Sequence, residues 1–149
     1  MRAGLIAVAL ALAVGTTAGI ASGAASFKPR NGTYSGSYTS AEHEPGDVRL
    51  RVEKLRPGLH GARLIGWSAR LVCEDGSSSV VGPELTAARA GRTFSGYVSY
   101  ADGDKSSFTG RFTSRKRLRG VARVQTTGSS AAERCDTGKV RFTARRVGP

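Results

Sequence analysis

Much of what usually marks an enzyme or a helical protein is scarce in this chain. Its 149 residues include two cysteines, two histidines, one methionine and one tryptophan. Two cysteines cannot make a zinc site unaided, and no C-x-x-C spacing suggests redox chemistry. Neither His43 nor His60 lies in a zinc-ligand motif. Gly66-Trp67-Ser68-Ala69-Arg70 lacks the final Gly of a G-x-S-x-G nucleophile elbow. Glycine-rich phosphate loops leading into a helix are absent, and no 3.6-residue hydrophobic repeat occurs beyond the N-terminal stretch. Asp and Glu gather in turns and loops, so no convergent acid–base set is visible and no cofactor is implied. A glycosidase carboxylate pair is assembled in space and leaves no fixed spacing, which keeps a carbohydrate-active enzyme as an alternative reading.

Long apolar runs are also missing, with one exception. Arg2 precedes the run Ala3 to Val14, which is too short to span a bilayer, and small residues at Ser22 to Ala25 fit a cleavage site. This is the layout of a secretory signal peptide, so residues 1–25 are read as a signal and 26–149 as one exported domain. No later run could span a membrane, and no transmembrane segment is expected after cleavage. A secreted or cell-envelope location makes one structural disulfide, Cys73 to Cys135, the default for the two cysteines.

What is present in excess is positive charge. The formal net charge is +12, and its distribution is uneven. From Lys105 onward there are twelve Lys and Arg against Glu133 and Asp136, while residues 26–104 are nearly balanced. Arg outnumbers Lys 18 to 5, as expected of a GC-rich coding sequence, but base composition does not explain the uneven placement of acids. Such asymmetry favours contact with a polyanion or an anionic surface.

The described pattern is of strands. Gly32 to Thr39 alternates Tyr, Ser and Gly, with Tyr34 and Tyr38 on one side. Asp47 to Leu55 alternates Val48, Leu50 and Val52 against Arg49, Arg51 and Glu53, and Arg56-Pro57-Gly58 closes it with turn chemistry. Ala62 to Cys73 reads as one strand with Ile65, Trp67, Ala69, Leu71 and Cys73 on a shared face, Trp67 being a core plug. Short strands follow over Ser79 to Val81 and Glu84 to Ala88. Thr93 to Tyr100 is expected to turn Phe94, Gly96 and Val98 inward. Ala101-Asp102-Gly103-Asp104 is a hairpin turn rather than a calcium loop, because the distal ligands are missing. Ser106 to Thr113, Leu118 to Gln125 and Lys139 to Arg145 then place Phe108, Phe112, Leu118, Ala122, Val140 and Phe142 inward. The polar run Ser40 to Gly46, with Glu42, His43 and Glu44 in a row, reads as a loop rather than a metal site. Glycines inside strands (Gly36, Gly66, Gly96, Gly110, Gly120) suggest bends or bulges. About eight short strands argue an all-β, antiparallel sandwich or meander barrel.

Gly32 to Gly36 (GTYSG), the mid-chain Cys73, Phe112-Thr113-Ser114 and the segment Cys135 to Arg145 resemble the layout of a group of small exported bacterial proteins of unknown function. The resemblance implies a β domain with a paired disulfide and brings no activity with it.

On the last three strands the outward parity holds Arg111, Arg119, Arg123, Lys139, Arg141 and Arg145, with Arg115, Lys116 and Arg117 at a hairpin tip. These nine cations are the expected polyanion-binding face of a non-enzymatic domain, its partner an anionic polysaccharide or the cell-envelope surface. Nucleic acid is a weaker partner, since stacking aromatics should stand among the cations, and Phe108, Phe112 and Phe142 share the inward parity. A barrel holding a small apolar ligand near Tyr34, Tyr38 and Trp67 is the other binding reading. The sequence fixes no oligomeric state.

Overall fold

A computed structural model describes residues 26–40 and 43–149. The expected signal peptide and residues 41–42, including Glu42, lie outside the described residues, as do the side chains of residues 40–45. The described residues form eleven strands and no helix: β1 (Gly32–Ser40), β2 (His43–Arg56), β3 (Leu59–Gly66), β4 (Ala69–Cys73), β5 (Ser78–Val81), β6 (Leu85–Ala90), β7 (Thr93–Ser99), β8 (Lys105–Ser114), β9 (Arg117–Gln125), β10 (Cys135–Asp136) and β11 (Val140–Gly148). Eight of them, β1-β2-β3-β6-β7-β8-β9-β11, close into an antiparallel barrel when β11 pairs back onto β1. The barrel alternative of the sequence reading is therefore the one adopted.

Period-two patterning explains the closure. Val48, Leu50 and Val52, then Ala62 and Leu64, then Leu85 and Ala87, continue round the wall through Phe94, Phe108, Phe112, Leu118, Ala122, Val140, Phe142 and Ala144 as one buried cluster. Each large apolar side chain fully buried in this way stabilises the fold by about 1.5–3 kcal/mol. Phe94 and Phe108 stack with centroids 5.0 Å apart, and Phe108 and Phe142 with centroids 5.8 Å apart. Outward positions carry Arg, Ser and Thr, the reverse of the alternation with which a membrane-spanning barrel faces lipid. Among the described residues no helix is long and apolar enough to cross a membrane.

Gly66 lies at a register shift, opposite Arg49 while Leu50 lies opposite Leu64, as expected of a strand glycine at a bulge; Gly110 and Gly120 serve close approach instead. A Cβ on Gly110 would stand 2.3 Å from the Phe94 ring, and one on Gly120 would stand 2.4 Å from the Phe142 ring. Each ring belongs to the residue directly opposite on the next strand. The other register shifts fall away from these glycines, at Thr33/Tyr34, Tyr38/Ser40, Lys54/Arg56 and Phe112/Ser114.

The remaining strands form a side sheet at one end of the barrel. Two-residue β10 pairs with β9 through Asp136 and Gln125, and with β4 through Cys135 opposite Cys73 and Asp136 opposite Val72. β5 lies on the far side of β4. The Cys73–Cys135 disulfide bonds this sheet together. Trp67 is buried in the core cluster where the chain leaves the barrel, its Nε1 donating to the Pro83 carbonyl at 2.8 Å.

Three expectations are corrected. Ala62 to Cys73 is not one strand: the chain breaks at Trp67-Ser68. The β2–β3 register also skips Ile65, with Arg49 opposite Gly66 and Leu50 opposite Leu64, so the buried parity changes there, Leu64 being buried and Ile65 42% exposed. Val98, expected inward, is 43% exposed, because paired residues on β6 stop at Ala88 opposite Ser95. The loop over Ser40 to Gly46 is mostly strand, with Tyr38 opposite Gly46 and Ser40 opposite His43.

Candidate polyanion-binding face

On β8, β9 and β11 the outward residues stand in rows across the strands. Arg111 lies directly opposite Arg119, which lies opposite Thr143, which lies opposite Ser37 on β1. A parallel row runs from Thr109 through Val121 and Arg141 to Thr39. Between the two rows the wall shows only backbone at Gly110 and Gly120, and the resulting groove, of about 810 Å³, has no carboxylate in its lining. Directly opposite residues have Cβ atoms about 5 Å apart, a distance at which two like charges repel. The cost is repeated one row over, where Arg117 lies opposite Arg145.

Of the nine expected cations, the structure gathers seven on one continuous surface. Arg111, Arg119 and Arg141 line the groove. Arg117 and Arg145 line the adjoining one together with Arg119. Arg115 and Lys116 form the β8–β9 turn, and a third depression there joins them to Arg117, Arg145, Phe27 and Arg92. Lys139 is exposed but precedes β11 at the opposite end of that strand from Arg145. Arg123 is different. Its Nε donates to Asp136 Oδ1 at 2.9 Å, and its Nη2 bonds Oδ2, so its charge is already satisfied.

That pair shapes both titrations. Burial alone would raise the Asp136 carboxyl, but the Arg123 guanidinium, the Gly138 N–H and Gln125 outweigh it and hold the group below its usual value. The hydrogen bond from the guanidinium in turn raises Arg123.

Sequence reasoning missed Arg49 and Arg92. Arg49 reaches the face because closure puts β1 between β11 and β2, with Ser35 opposite both Arg145 and Arg49. Arg92 stacks over the Phe27 ring with its guanidinium carbon 5.1 Å from the centroid. The nearest described carboxylate is Asp47, opposite Ser37 and lining the adjoining groove.

Carboxylates come together at the disulfide end, where Asp102, Asp104 and Glu133 line one depression, and at Arg63, whose Nε lies 3.5 Å from Glu53 and 3.2 Å from Glu84 and so separates the two. At the disulfide end the carboxylates are already engaged. All three act as local acceptors. Asp102 Oδ1 accepts from Asp104 N at 3.1 Å, Asp104 Oδ1 from Thr127 N at 2.9 Å, and Glu133 Oε2 from Ser130 N at 3.0 Å. The Ser130 hydrogen bonds, with that from Ser129, hold Glu133 below its usual value, whereas a glycosidase acid needs a raised one. Among the described residues no three His, Cys, Asp or Glu are placed to hold a metal.

Fold and site together define a closed eight-stranded barrel with a disulfide-bonded side sheet and a cationic outer wall. No known protein family matches the chain, and no curated protein matches it in sequence.

Proposed function

We propose that this is an exported, non-enzymatic domain that holds anionic polymers of the cell envelope against its basic wall. The supporting observation is the pair of direct cross-strand juxtapositions, Arg111 with Arg119 and Arg117 with Arg145, with no ion pair to any of the four among the described residues. Like charges so placed destabilise the free protein, and a bound polyanion relieves that cost. Hydroxyls of Ser37, Thr39, Thr109 and Thr143 flank the groove and suit the hydroxyl groups of a polyol or sugar backbone.

The apolar-ligand reading has less to stand on, since Tyr34, Tyr38 and Trp67 are themselves part of the packed core. Nucleic acid is disfavoured because Phe108, Phe112 and Phe142 are buried rather than exposed among the cations. The test is equilibrium binding of the mature chain to an acidic polysaccharide and to a poly(glycerol phosphate) across sodium chloride from about 0.05 to 1 M, over which the screening length falls from above 10 Å to about 3 Å. Affinity should fall steeply with salt. Equal affinity at both ends of the range overturns the reading.

A further inference from the structure

The inward face of the barrel also carries cations, at the end opposite the disulfide. Lys54 on β2 lies opposite His60 on β3. Gly61 lies opposite Ala88, so the same register sets His60 beside Arg89 on β6. All three share parity with core residues on their own strands: Val52, Ala62 and Ala87. Arg89 and His60 are half-buried where the apolar lining ends, and Lys54 is exposed at the rim. Arg89 Nη1 and His60 Nδ1 are both buried without a hydrogen-bond partner. Nearby, the fully buried Tyr34 donates its hydroxyl to the Arg30 carbonyl at 2.6 Å. Burial raises that phenol, and the charges that oppose the rise are Arg146, Arg89 and Arg30.

A buried guanidinium nitrogen with no acceptor is costly, and an ordinary native structure supplies one. Arg63 Nε is likewise buried without a hydrogen bond, but there and at other guanidinium groups of the protein a carboxylate stands beside the charge. Arg63 stands between Glu53 and Glu84, Arg123 is held by Asp136 and Arg134 by Glu74. At this barrel end no described residue supplies the acceptor or a neighbouring carboxylate. Water can satisfy the hydrogen bond, but water does not offset the accumulated charge of Arg89, Arg30 and Arg146. An anion does both.

We infer that the barrel end closed by residues 26–31 is a binding site for a small oxyanion, anchored by Arg89 with His60 beside it and Lys54 at the rim. The site is separate from the outer wall and would stand even if no polymer binds there. Its ligand is a compact group, such as inorganic phosphate or a carboxylate, because the core residues above it leave no room for a chain.

The experiment is thermal unfolding of the mature chain in a buffer free of oxyanions, titrated with phosphate, acetate or chloride at constant ionic strength. Wild type should show a saturable rise in Tm with an oxyanion, as expected for a ligand that binds only the folded state. Arg89→Met keeps the stem and removes the charge. It should abolish the saturable rise while leaving stability in oxyanion-free buffer unchanged or higher, so the order of the two proteins reverses on adding phosphate. Arg111→Gln with Arg119→Gln should keep the rise, which separates this site from the outer wall. A wild-type chain with no saturable response, or an undiminished response in Arg89→Met, overturns the inference. Should Arg89→Met fail to fold, selenate soaked into wild-type crystals decides. An anomalous peak within hydrogen-bond reach of Arg89 supports the site, and peaks confined to the outer arginines, an adventitious ion only, overturn it.

Discussion

Asp136 shows how much one side chain can carry in this fold. It lies in a two-residue strand, and its carboxylate accepts from Arg123, Gln125 Nε2 at 3.2 Å and Gly138 N at 2.8 Å. Those bonds tie the side sheet and the start of β11 to β9. Both members of the ion pair are about a third exposed, so the charge-assisted bonds count for less than in a dry core. Asp136→Asn should therefore cost about 1 kcal/mol at neutral pH, after discounting for solvent screening. The sign of the pH effect follows from the lowered carboxyl. Its stabilisation is fully present above the unfolded value of about 4 and is lost as pH falls through the lower folded value. Wild type minus variant, measured by urea unfolding from pH 7 down to about pH 2.5, should shrink across the acid end of that range. A constant difference would mean that the carboxylate's charge plays no part.

Among the elements, β10 is the least able to hold itself in place. Its strand pairing with the barrel is one residue pair on β9, while two pairs join it to β4. Cross-linking here closes a loop of 62 residues, for which the chain-entropy account gives about 4 kcal/mol of stabilisation. Replacing Cys73 and Cys135 by Ser should cost about 2–4 kcal/mol, the chain-entropy figure being the upper end, and the loss should be local in its dynamics. Amide exchange in β4 and β5 should accelerate far more than in β1, β8 or β11, and uniform acceleration would contradict a separable side sheet. The alternation that announced β8, β9 and β11 also put Arg111, Arg119, Arg141 and Arg145 outward, because period-two burial is a local property of the chain. What stayed hidden was non-local. Nothing near Arg49 indicates that β1 will pair with β11, and nothing near Arg123 indicates that Asp136 will neutralise it. The change of parity at Ile65 leaves no local mark either, because the apolar residues on both sides of it keep a plausible alternation.

At the scale of the whole molecule, the charges separate along the barrel axis. Asp102, Asp104 and Glu133 gather around the disulfide end. Arg92, Arg115, Lys116, Arg117 and Arg145 surround the other end, near Phe27. A body with such a distribution turns its basic end toward an anionic surface before any contact forms, and this acts on the association rate more than on the lifetime of the complex. The groove arginines, in contact with ligand, should act mainly on dissociation. Charge reversal at the tip, Arg115→Glu with Lys116→Glu, should thus slow association with an immobilised anionic polysaccharide by several-fold at low salt, with little change in dissociation. That deficit should fade as salt approaches about 1 M, where the screening length is about 3 Å. Arg111→Gln with Arg119→Gln should instead speed dissociation and leave association nearly unchanged. If the tip variant altered only dissociation, the axial separation of charge would not be steering the encounter, and the basic wall would act by contact alone.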